Sequence, residues 1–426
     1  MVGTKPQEKP FGISKRLVWE AYQKVRRNKG AAGVDGQSLA DFAQDEKGNL
    51  YKIWNRMSSG SYFPPPVRAV GIPKAGGKGV RQLGVPTVAD RIAQTVVTMV
   101  LEPGAEKAFH PDSYGYRPGR SALDAVGVCQ QRCWRTSWVI DLDIQAFFDT
   151  VPHAEILQAV ERHTELPWVL LYVRRWLCAP IRHVDGTLES RDRGTPQGSA
   201  ISPLLANLFM HYAFDAWIAR TLPQIKFERY CDDIIVHCVS LAQAEGVRGL
   251  IAKRLWRFGL RLHPEKTKIV YCRQEGRTGK YSDTAFTFLG YTFRPRGART
   301  RTGKLKVGFL PAFSKAAGKA MAATIRGWRL GRRTDLSFAE VAAMVNRVVA
   351  GWINYYGRFY KSLLINFLAE RLNRHLVKWA MRKFKHLHRS PAKARQRLAH
   401  IAATHQGAFV HWRHGALPSG STTGAV

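Results

Sequence analysis

The sequence is poor in acidic residues and has no long apolar run. It carries 31 Asp and Glu against 66 Lys and Arg, a formal net charge of +35 over 426 residues. A field of this sign attracts polyanions, and nucleic acid is the first candidate partner. A basic protein of the membrane surface is the alternative. No apolar stretch reaches the roughly 18 residues that a bilayer-spanning helix needs, so we expect no membrane partner.

Cysteine is also scarce, and its spacing excludes the common zinc modules. The sequence has no CxxC pair and no cysteine after Cys272. Cys129 and Cys133 stand four apart on a predicted helix, but no second Cys/His pair at zinc-finger spacing accompanies them, which favours buried thiols. The first residues, MVGTKPQEKPF, lack the apolar stretch of a signal peptide. We therefore expect a reducing compartment, the bacterial cytoplasm or nucleoid.

Positive charge is concentrated beyond residue 300. Residues 301–426 carry 23 Lys and Arg and 3 Asp and Glu, which is +20. Most of this part has helical periodicity with aromatic residues interleaved, as in GWINYYGRFY at 351–360. Trp352, Tyr355, Tyr356 and Phe359 fit one helix face, which favours core packing over base stacking.

The first 300 residues mix strand-like and helical patterns. Residues 61–87 predict an extended segment followed by a hairpin rich in Gly and Lys, and residues 136–151 predict a strand that turns into a helix or tight bend. One helix is predicted over 153–177. The run FERYCDDIIVHC at 227–238 predicts a β-hairpin.

That hairpin places two adjacent aspartates, Asp232 and Asp233, inside an otherwise apolar run. Burying two neighbouring carboxylates is unfavourable unless a turn exposes them to water or a bound cation offsets their charge. Two-metal phosphoryl transfer requires such carboxylates together with a third from a nearby strand. The run VIDLDIQAFFD offers Asp143 near the end of a strand and Asp141 on the same strand face. The residue pattern alone does not choose between them.

The order of short motifs along the chain is more specific than any one of them. In sequence come IPKAGGKGVRQ, DIQAFF, TPQGSAISPLLAN, YCDD, EKTK and FLGY. This ordered set resembles the group II intron-encoded reverse transcriptase/maturases over residues 15–400. Cys231 stands where that family more often has alanine; both residues are small, so the hairpin should be preserved.

The resemblance implies the metal site. DIQAFF matches Asp143 to the first metal-binding aspartate and leaves Asp141 as a structural or outer residue. Asp232 and Asp233 match the aspartate pair of the hairpin. Together the three would hold two Mg²⁺ ions as catalytic and metal-binding residues.

The resemblance also implies a dNTP site. Lys74 and Arg81 match basic residues that would hold the triphosphate, and Phe148 matches the position whose ring would exclude a 2′-hydroxyl. Core packing is the other interpretation of Phe148, a role that Phe147 would serve equally well.

Three further positions would complete that dNTP site. Gln197 and Gly198 would border the nucleotide pocket. Lys266 would act on the leaving pyrophosphate, with Lys268 as the competing choice.

The implied fold is α+β, with the fingers and palm of a right-hand polymerase followed by an all-helical thumb. The expected domains are an N-terminal helical extension of the fingers (1–65), fingers and palm (66–300), the maturase or thumb domain (301–370) and a basic tail with a disordered end (371–426), a candidate DNA-binding segment. Many relatives continue into an HNH endonuclease with cysteine pairs, and we expect this domain to be absent.

The implied activity is RNA-directed DNA synthesis from dNTPs, combined with a maturase function. The partners would be the group II intron RNA, whose splicing the protein would assist, and a DNA target for intron mobility; the oligomeric state is left open. Two alternatives remain: a non-catalytic RNA-binding splicing cofactor, and a reverse transcriptase with another role such as phage defence.

Overall fold

The computed structural model describes residues 9–73, 79–299 and 302–418. The chain divides into two compact units. The first comprises Met1–Ala125 and Ile140–Ile269, and the second comprises Val126–Val139 and Val270–Val426. Within the described ranges, none of the helices is long and apolar enough to cross a membrane.

Helices form most of the first part of the chain. In order they are α1 (Lys15–Asn28), α2 (Leu39–Gln44), α3 (Glu46–Ser58), α4 (Val88–Ala108), α5 (Ala122–Arg135), α6 (Phe147–Thr150), α7 (His153–Glu161), α8 (Pro167–Cys178), α9 (Ser202–Met210), α10 (Ala216–Thr221) and α11 (Leu241–Trp256). A π-helical segment, His211–Asp215, joins α9 to α10.

The first helix shows why these segments fold as they do. The Ser14 hydroxyl accepts a hydrogen bond from the Leu17 amide and so caps the amino end of α1. Val18, Ala21, Tyr22 and Val25 are buried at helical spacing. The remaining faces carry the charged residues, which gives α1 the amphipathic pattern of a surface helix.

Two sheets lie in this part of the chain. The first has the order β2-β1-β4-β5, built from β1 (Val67–Pro73), β2 (Val80–Val85), β4 (Ile181–Arg182) and β5 (Leu188–Glu189). The second has the order β6-β7-β3-β8, built from β3 (Trp138–Leu142), β6 (Lys226–Tyr230), β7 (Asp233–Cys238) and β8 (Lys268–Tyr271). We call the second the carboxylate sheet, because the predicted aspartates lie on its strands or directly after them.

The expected helix over 153–177 is wrong in one respect. It is two helices, α7 and α8, separated by residues 162–166. Pro167 is the first residue of α8, and proline has no amide to continue a preceding helix.

The second unit contains a three-stranded sheet. Its strands are β9 (Phe286–Phe288), β10 (Tyr291–Arg299) and β11 (Leu305–Phe313), in the order β11-β10-β9. The antiparallel pairing of β10 with β11 runs from Tyr291 opposite Phe313 to Arg299 opposite Leu305. The expected domain boundary at 300/301 falls between these paired strands, so the region after residue 301 starts with a strand before its helices.

Helices make up the remainder of the second unit. They are α12 (Lys315–Gly327), α13 (Phe338–Tyr356), α14 (Lys361–Lys383), α15 (Pro391–Thr404) and α16 (Val410–Arg413), with 3-10 turns at Leu330–Arg332 and Lys385–Leu387. The expected boundary at 370/371 lies inside α14. Trp352 and Tyr356 pack against the helical core, as their spacing predicts.

All six cysteines lie in described parts of the chain and form no disulfide. Five are buried and Cys178 alone is exposed. Buried thiols are the outcome that the cysteine spacing favours.

Candidate active site

The two adjacent aspartates lie at the tip of the predicted hairpin. Tyr230 and Asp233 pair across β6 and β7, which leaves Cys231 and Asp232 as a two-residue turn. Cys231 has a φ of 63°, a left-handed conformation that tight hairpin turns require at their first position. The turn directs both carboxylates to the end of the carboxylate sheet, and each is half-buried.

Burial and neighbouring charge act together on Asp232. Burial raises the pKa of its carboxyl, and the negative charge of Asp143 raises it further. Hydrogen bonds and the positive charge of Arg81 act in the opposite direction. Asp143, Asp232 and Arg81 therefore lie within electrostatic reach of one another, although they come from three different segments of the chain.

Asp143 follows the last residue of β3 and is held by the segment before β8. Its carbonyl accepts a hydrogen bond from the His263 amide at 2.7 Å, and the Thr267 hydroxyl contacts its backbone at 3.3 Å. The Lys266 ammonium lies 3.3 Å from its carboxylate. A cation thus already faces the Asp143 carboxylate from the chain itself.

The structure gives Lys266 and Lys268 different neighbours. Lys266 pairs with Asp143, whereas the charge of Lys268 acts on Asp141. Burial, followed by the charge of Asp143, raises the pKa of Asp141 to about 7. Asp141 and Asp143 thus occupy distinct environments, and of the two only Asp143 shifts the pKa of Asp232.

The donor set fits divalent cations. The three aspartates offer hard carboxylate oxygens, the ligands that Mg²⁺ prefers. In the part of the chain that is described, their oxygens do not all lie within 4.8 Å of one another, so they form an open group rather than a closed cage. Burial raises the pKa of Asp232 most and the charge of Asp143 adds to it, and a bound cation would offset the cost of keeping this carboxylate charged.

Phe148 lies on α6, five residues after Asp143. Phe147 is buried and its ring packs 6.2 Å from that of Phe209, whereas Phe148 is half-buried. The Phe148 carbonyl accepts a hydrogen bond from the Thr195 amide at 2.7 Å. Core packing is therefore done by Phe147, and Phe148 retains an accessible face.

Gln197 and Gly198 lie on a loop that is hydrogen-bonded to β2 on one side and to α4 on the other. The Gly84 amide of β2 donates to the Gln197 carbonyl at 2.8 Å. Gly198 has a φ of 111°, and a side chain there would meet the Gly84 carbonyl at 3.0 Å. The buried Gln94 side chain of α4 accepts from the Ser199 hydroxyl at 2.7 Å and holds the other side of the loop.

Of the two residues predicted to bind the triphosphate, Arg81 lies within the described residues and Lys74 does not. Arg81 is exposed on β2 opposite Ile72, and its charge acts on both Asp232 and Tyr116. Lys74 lies outside the described residues. Arg81 is thus the one of the pair whose position near the aspartates is observed.

A buried arginine that sequence reasoning missed holds the hairpin from behind. Arg229 is fully buried, and all five of its N–H donors are used. Two donate to the carboxylate of Asp215 at 2.7 and 2.6 Å, and one each to Asn207 at 2.9 Å and Ser113 at 2.8 Å. The fifth donates to the carbonyl of Cys231 at 3.0 Å.

Arg229 therefore ties the hairpin turn to segments up to 116 residues away in the chain. The sequence signal that could have identified Arg229 is a positive charge inside an apolar strand, since arginine is rarely buried without a charged partner. No sequence pattern identifies Asp215 as that partner.

A second missed contact packs the segment 113–116 against the turn. A side chain at Gly115 would lie 2.7 Å from the Cys231 amide, so only glycine fits this approach. Tyr116 is 57% exposed and its ring lies 6.1 Å from that of Tyr230. An exposed aromatic face therefore stands beside the hairpin.

Comparison with known proteins gives a consistent result. The family model described as "Reverse transcriptase (RNA-dependent DNA polymerase)" matches residues 72–293, and the model "Group II intron, maturase-specific domain" matches residues 318–398. The fold and the carboxylate site define a nucleic-acid polymerase. The chain belongs to the reverse transcriptases and carries the maturase-specific domain of group II intron proteins.

Two curated relatives match at the same identity over different lengths. Protein YkfC of Escherichia coli (strain K12) is 30% identical over 354 residues, covering 73% of this chain and 88% of that protein. The group II intron-encoded protein LtrA of Lactococcus lactis subsp. cremoris is 30% identical over 220 residues, covering 50% of this chain and 35% of LtrA. Among solved structures, telomerase from Candida albicans has a TM-score of 0.46 at 11% identity, covering 89% of this chain and 68% of that one.

The two family models confirm the reverse transcriptase and maturase assignment. Reverse transcriptases are RNA-directed DNA polymerases that use a divalent metal, and the maturase-specific domain implies RNA as a partner.

Proposed function

We propose that Asp143, Asp232 and Asp233 hold two Mg²⁺ ions and that the protein extends a primer with dNTPs on an RNA template. The observation that carries this proposal is that Asp143, directly after β3, and Asp232, in the turn between β6 and β7, come together, so that the charge of Asp143 adds to the effect of burial on the Asp232 carboxyl. When bound, the ions would lower the pKa of the attacking 3′-hydroxyl and stabilise the charge of the leaving pyrophosphate.

The chain's own residues orient the substrate around that site. Arg81, together with Lys74, would hold the triphosphate, since guanidinium groups match phosphate oxygens in a bidentate geometry. The loop at Gln197 and Gly198 lets the backbone approach the nucleotide closely. The accessible face of Phe148 would exclude a ribose 2′-hydroxyl.

Lys266 has a further role in this proposal. Its ammonium faces Asp143 at 3.3 Å, beside the carboxylates that would hold the metal. This position supports Lys266 rather than Lys268 as the residue that would assist the departure of the pyrophosphate.

The maturase-specific domain supports a second part of the proposal. The protein would bind the group II intron RNA that encodes it and stabilise the splicing-competent fold of that RNA. The resulting ribonucleoprotein would use a DNA target for mobility. We place this activity in the cytoplasm, where dNTPs and the transcript meet. The excess positive charge of residues 301–426 suits such a polyanionic partner.

One experiment tests both parts at once. Purified protein is incubated with its flanking intron RNA, a primer, dNTPs and Mg²⁺, and spliced RNA and cDNA are measured separately. Asp232→Ala with Asp233→Ala should abolish cDNA while leaving splicing largely intact, because the ribozyme itself performs the transesterifications. Glu161→Ala with Glu245→Ala, which removes two exposed carboxylates of α7 and α11 and none of the hairpin, serves as the control.

The outcomes separate the alternatives. Undiminished cDNA synthesis by the double aspartate variant would contradict the metal site. Absence of any cDNA from the wild-type protein, with splicing promoted, would favour a non-catalytic splicing cofactor.

A further inference from the structure

The first unit contains a pocket whose walls include none of the predicted site residues within the described ranges. Its volume is about 310 Å³, at the lower end of the about 300–1,000 Å³ that small-molecule sites occupy. Helix α7 and the residue after it form one wall, the π-helical segment and α10 form the second, and α11 with the turn after it forms the third. We call this cavity the α7–α11 pocket.

Two cations lie at the mouth of the α7–α11 pocket. Arg162, directly after α7, and Arg220 of α10 are both exposed. The Arg162 guanidinium lies 4.8 Å from the centre of the Tyr212 ring, a cation–π contact that restricts the side chain. Across the described residues, neither guanidinium lies within ion-pairing distance of a carboxylate. Both are therefore available to an anion.

The third arginine of the pocket is half-buried and already held. Arg254 of α11 donates to the carbonyls of Tyr212 and Ala213 in the π-helical segment, at 3.0 Å each. Its guanidinium also lies 4.6 Å from the centre of the Phe258 ring and 5.8 Å from that of Trp217. Arg254 thus fixes the inner wall, whereas the two arginines at the mouth are the groups that can bind a ligand's charge.

Trp217 offers an aromatic face in the interior of the pocket. The ring of Tyr212 packs 4.9 Å from that of His211. The ring of Phe258 packs 5.8 Å from that of Phe209. Trp217 is half-buried and, in the described part of the chain, has no aromatic partner. An indole in this situation is a stacking surface for a flat heterocycle.

Glu155 of α7 is the one carboxylate that the described walls contain. It is half-buried and its charge acts on Arg254. Its side chain makes no hydrogen bond with any described residue. Because a carboxylate only accepts hydrogen bonds, a ligand that fills the pocket has to bring N–H or O–H donors to this group.

These groups together determine the class of ligand. Guanidinium groups match phosphate oxygens, and the indole matches a planar base. Guanine carries its N1–H and N2–H₂ donors side by side, so that it can donate to both oxygens of one carboxylate. A simple aromatic acid or a fatty acid would leave Glu155 without a donor. The volume of the pocket suits one nucleotide, whereas a strand requires an extended groove.

We propose that the α7–α11 pocket binds a guanine mononucleotide. The base stacks on Trp217 and donates to Glu155 in the interior, and the phosphate binds Arg162 and Arg220 at the mouth. The site is separate from the dNTP site and needs no Mg²⁺, because guanidinium groups supply the countercharge. It goes beyond the polymerase and maturase functions and does not rest on them.

Equilibrium dialysis of the full-length protein with GMP tests the site, in EDTA and without nucleic acid. Arg162→Ala and Trp217→Leu should each weaken GMP binding about tenfold or more, because one removes a charge-assisted hydrogen bond and the other a stacking surface. Arg248→Ala and Trp256→Leu are the matched controls, since both residues are exposed on α11 and do not line the pocket. Each control should change the affinity about twofold or less.

Base recognition is tested at Glu155. The wild-type protein should bind GMP more tightly than AMP, because adenine lacks the two adjacent donors, and more tightly than guanosine or inorganic phosphate. Glu155→Gln places an amide N–H₂ group against those donors, so it should remove most of the preference for GMP and leave the affinity for AMP nearly unchanged. Glu161→Gln, exposed at the end of α7 and outside the pocket, should keep the preference.

Arg81→Ala distinguishes the pocket from the proposed dNTP site, because it should leave GMP binding in EDTA unchanged. Circular dichroism and melting establish that every variant is folded. Four results would overturn the proposal: no GMP bound by the wild type, equal effects of lining and control variants, AMP bound as tightly as GMP, or GMP binding lost in Arg81→Ala. Failure of the polymerase proposal has a different signature, namely a wild-type protein that makes no cDNA and still binds GMP.

Discussion

Replacement of Arg229 by lysine tests whether the hydrogen bond from Arg229 to the Cys231 carbonyl positions the hairpin turn. Lysine preserves the positive charge beside Asp215 but supplies one compact ammonium in place of a five-donor fork. A single ammonium that stays with Asp215 leaves the acceptors on Asn207, Ser113 and Cys231 without their donor. The Cys231 carbonyl matters most for activity, because the next residue is Asp232.

The number of hydrogen bonds lost determines how much Arg229→Lys should destabilise the protein. At least two buried acceptors would lose a donor, and each costs about 1–3 kcal/mol, so the free energy of unfolding should fall by about 2–6 kcal/mol. That is a large share of the about 5–15 kcal/mol that stabilises a typical domain. A shift of the turn by about 1 Å would lower the rate of primer extension about a hundredfold.

The assay pairs stability with catalysis. Urea denaturation gives the free energy of unfolding, and primer extension at a temperature where each variant is folded gives the rate across a Mg²⁺ titration. Arg117→Lys is the matched control, since Arg117 is buried and bonds Glu106 and the carbonyls of His110 and Ser113 but no atom of the hairpin.

We expect Arg229→Lys to raise the Mg²⁺ concentration needed for half-maximal rate, and Arg117→Lys to lower stability without that change. If both variants lose the same rate and keep the wild-type Mg²⁺ dependence, Arg229 is only a stabilising residue and the positioning argument is refuted.

Three further predictions concern single positions. Asp143→Ala should reduce primer extension by several orders of magnitude because a metal ligand is removed, whereas Asp141→Asn should be mild; the reverse order in the same assay would mean that the metal ligand is misassigned. Phe148→Val should admit ribonucleotides, measured as single-nucleotide incorporation of rNTP against dNTP, and an unchanged ratio in an active variant would reduce Phe148 to packing. Asp90→Asn should stabilise the protein near pH 7 by about 3 kcal/mol and have little effect near pH 4, measured by urea denaturation at both pH values.

The Asp90 prediction follows from the direction of its pKa change. Burial raises the pKa of Asp90 from 3.8 to about 6, so between these values the unfolded chain loses its proton first and stability falls as pH rises. Each pKa unit is worth about 1.36 kcal/mol. Asparagine keeps the acceptor for the Tyr62 hydroxyl at 2.8 Å and the Trp176 indole at 3.0 Å without the charge. A stability difference that does not change with pH would contradict this account.

The hairpin and its aspartates were predictable because their signal is local. Two acidic residues interrupt an apolar alternation, and the turn that exposes them needs only the residues of the hairpin itself. The network behind the turn was not predictable, because Ser113, Asn207 and Asp215 meet Arg229 from remote segments and no periodicity links them. The break between α7 and α8 was available in principle, since Pro167 marks the start of α8, but residues 162–166 contain no glycine to mark the end of α7.

The domain limits show the same contrast. The rise in positive charge near residue 300 is a feature of composition, whereas compactness follows contacts. Strands β10 and β11 pair across the point where the composition changes. Residue counts give the charge density of a segment directly, but they do not show which segments pack together, so they do not locate the limits of a domain.

The distribution of cysteines gives the protein a ready-made chemical handle. A maleimide reagent reacts with thiolate that it can reach, and among the six cysteines only Cys178, the last residue of α8, is exposed. Burial raises the pKa of the Cys238 thiol to about 12 and that of Cys231 well above its ordinary value, which makes both unreactive. The unaltered protein can therefore be labelled with a dye at Cys178 alone. Cys231, next to Asp232, would not have to be replaced for this purpose.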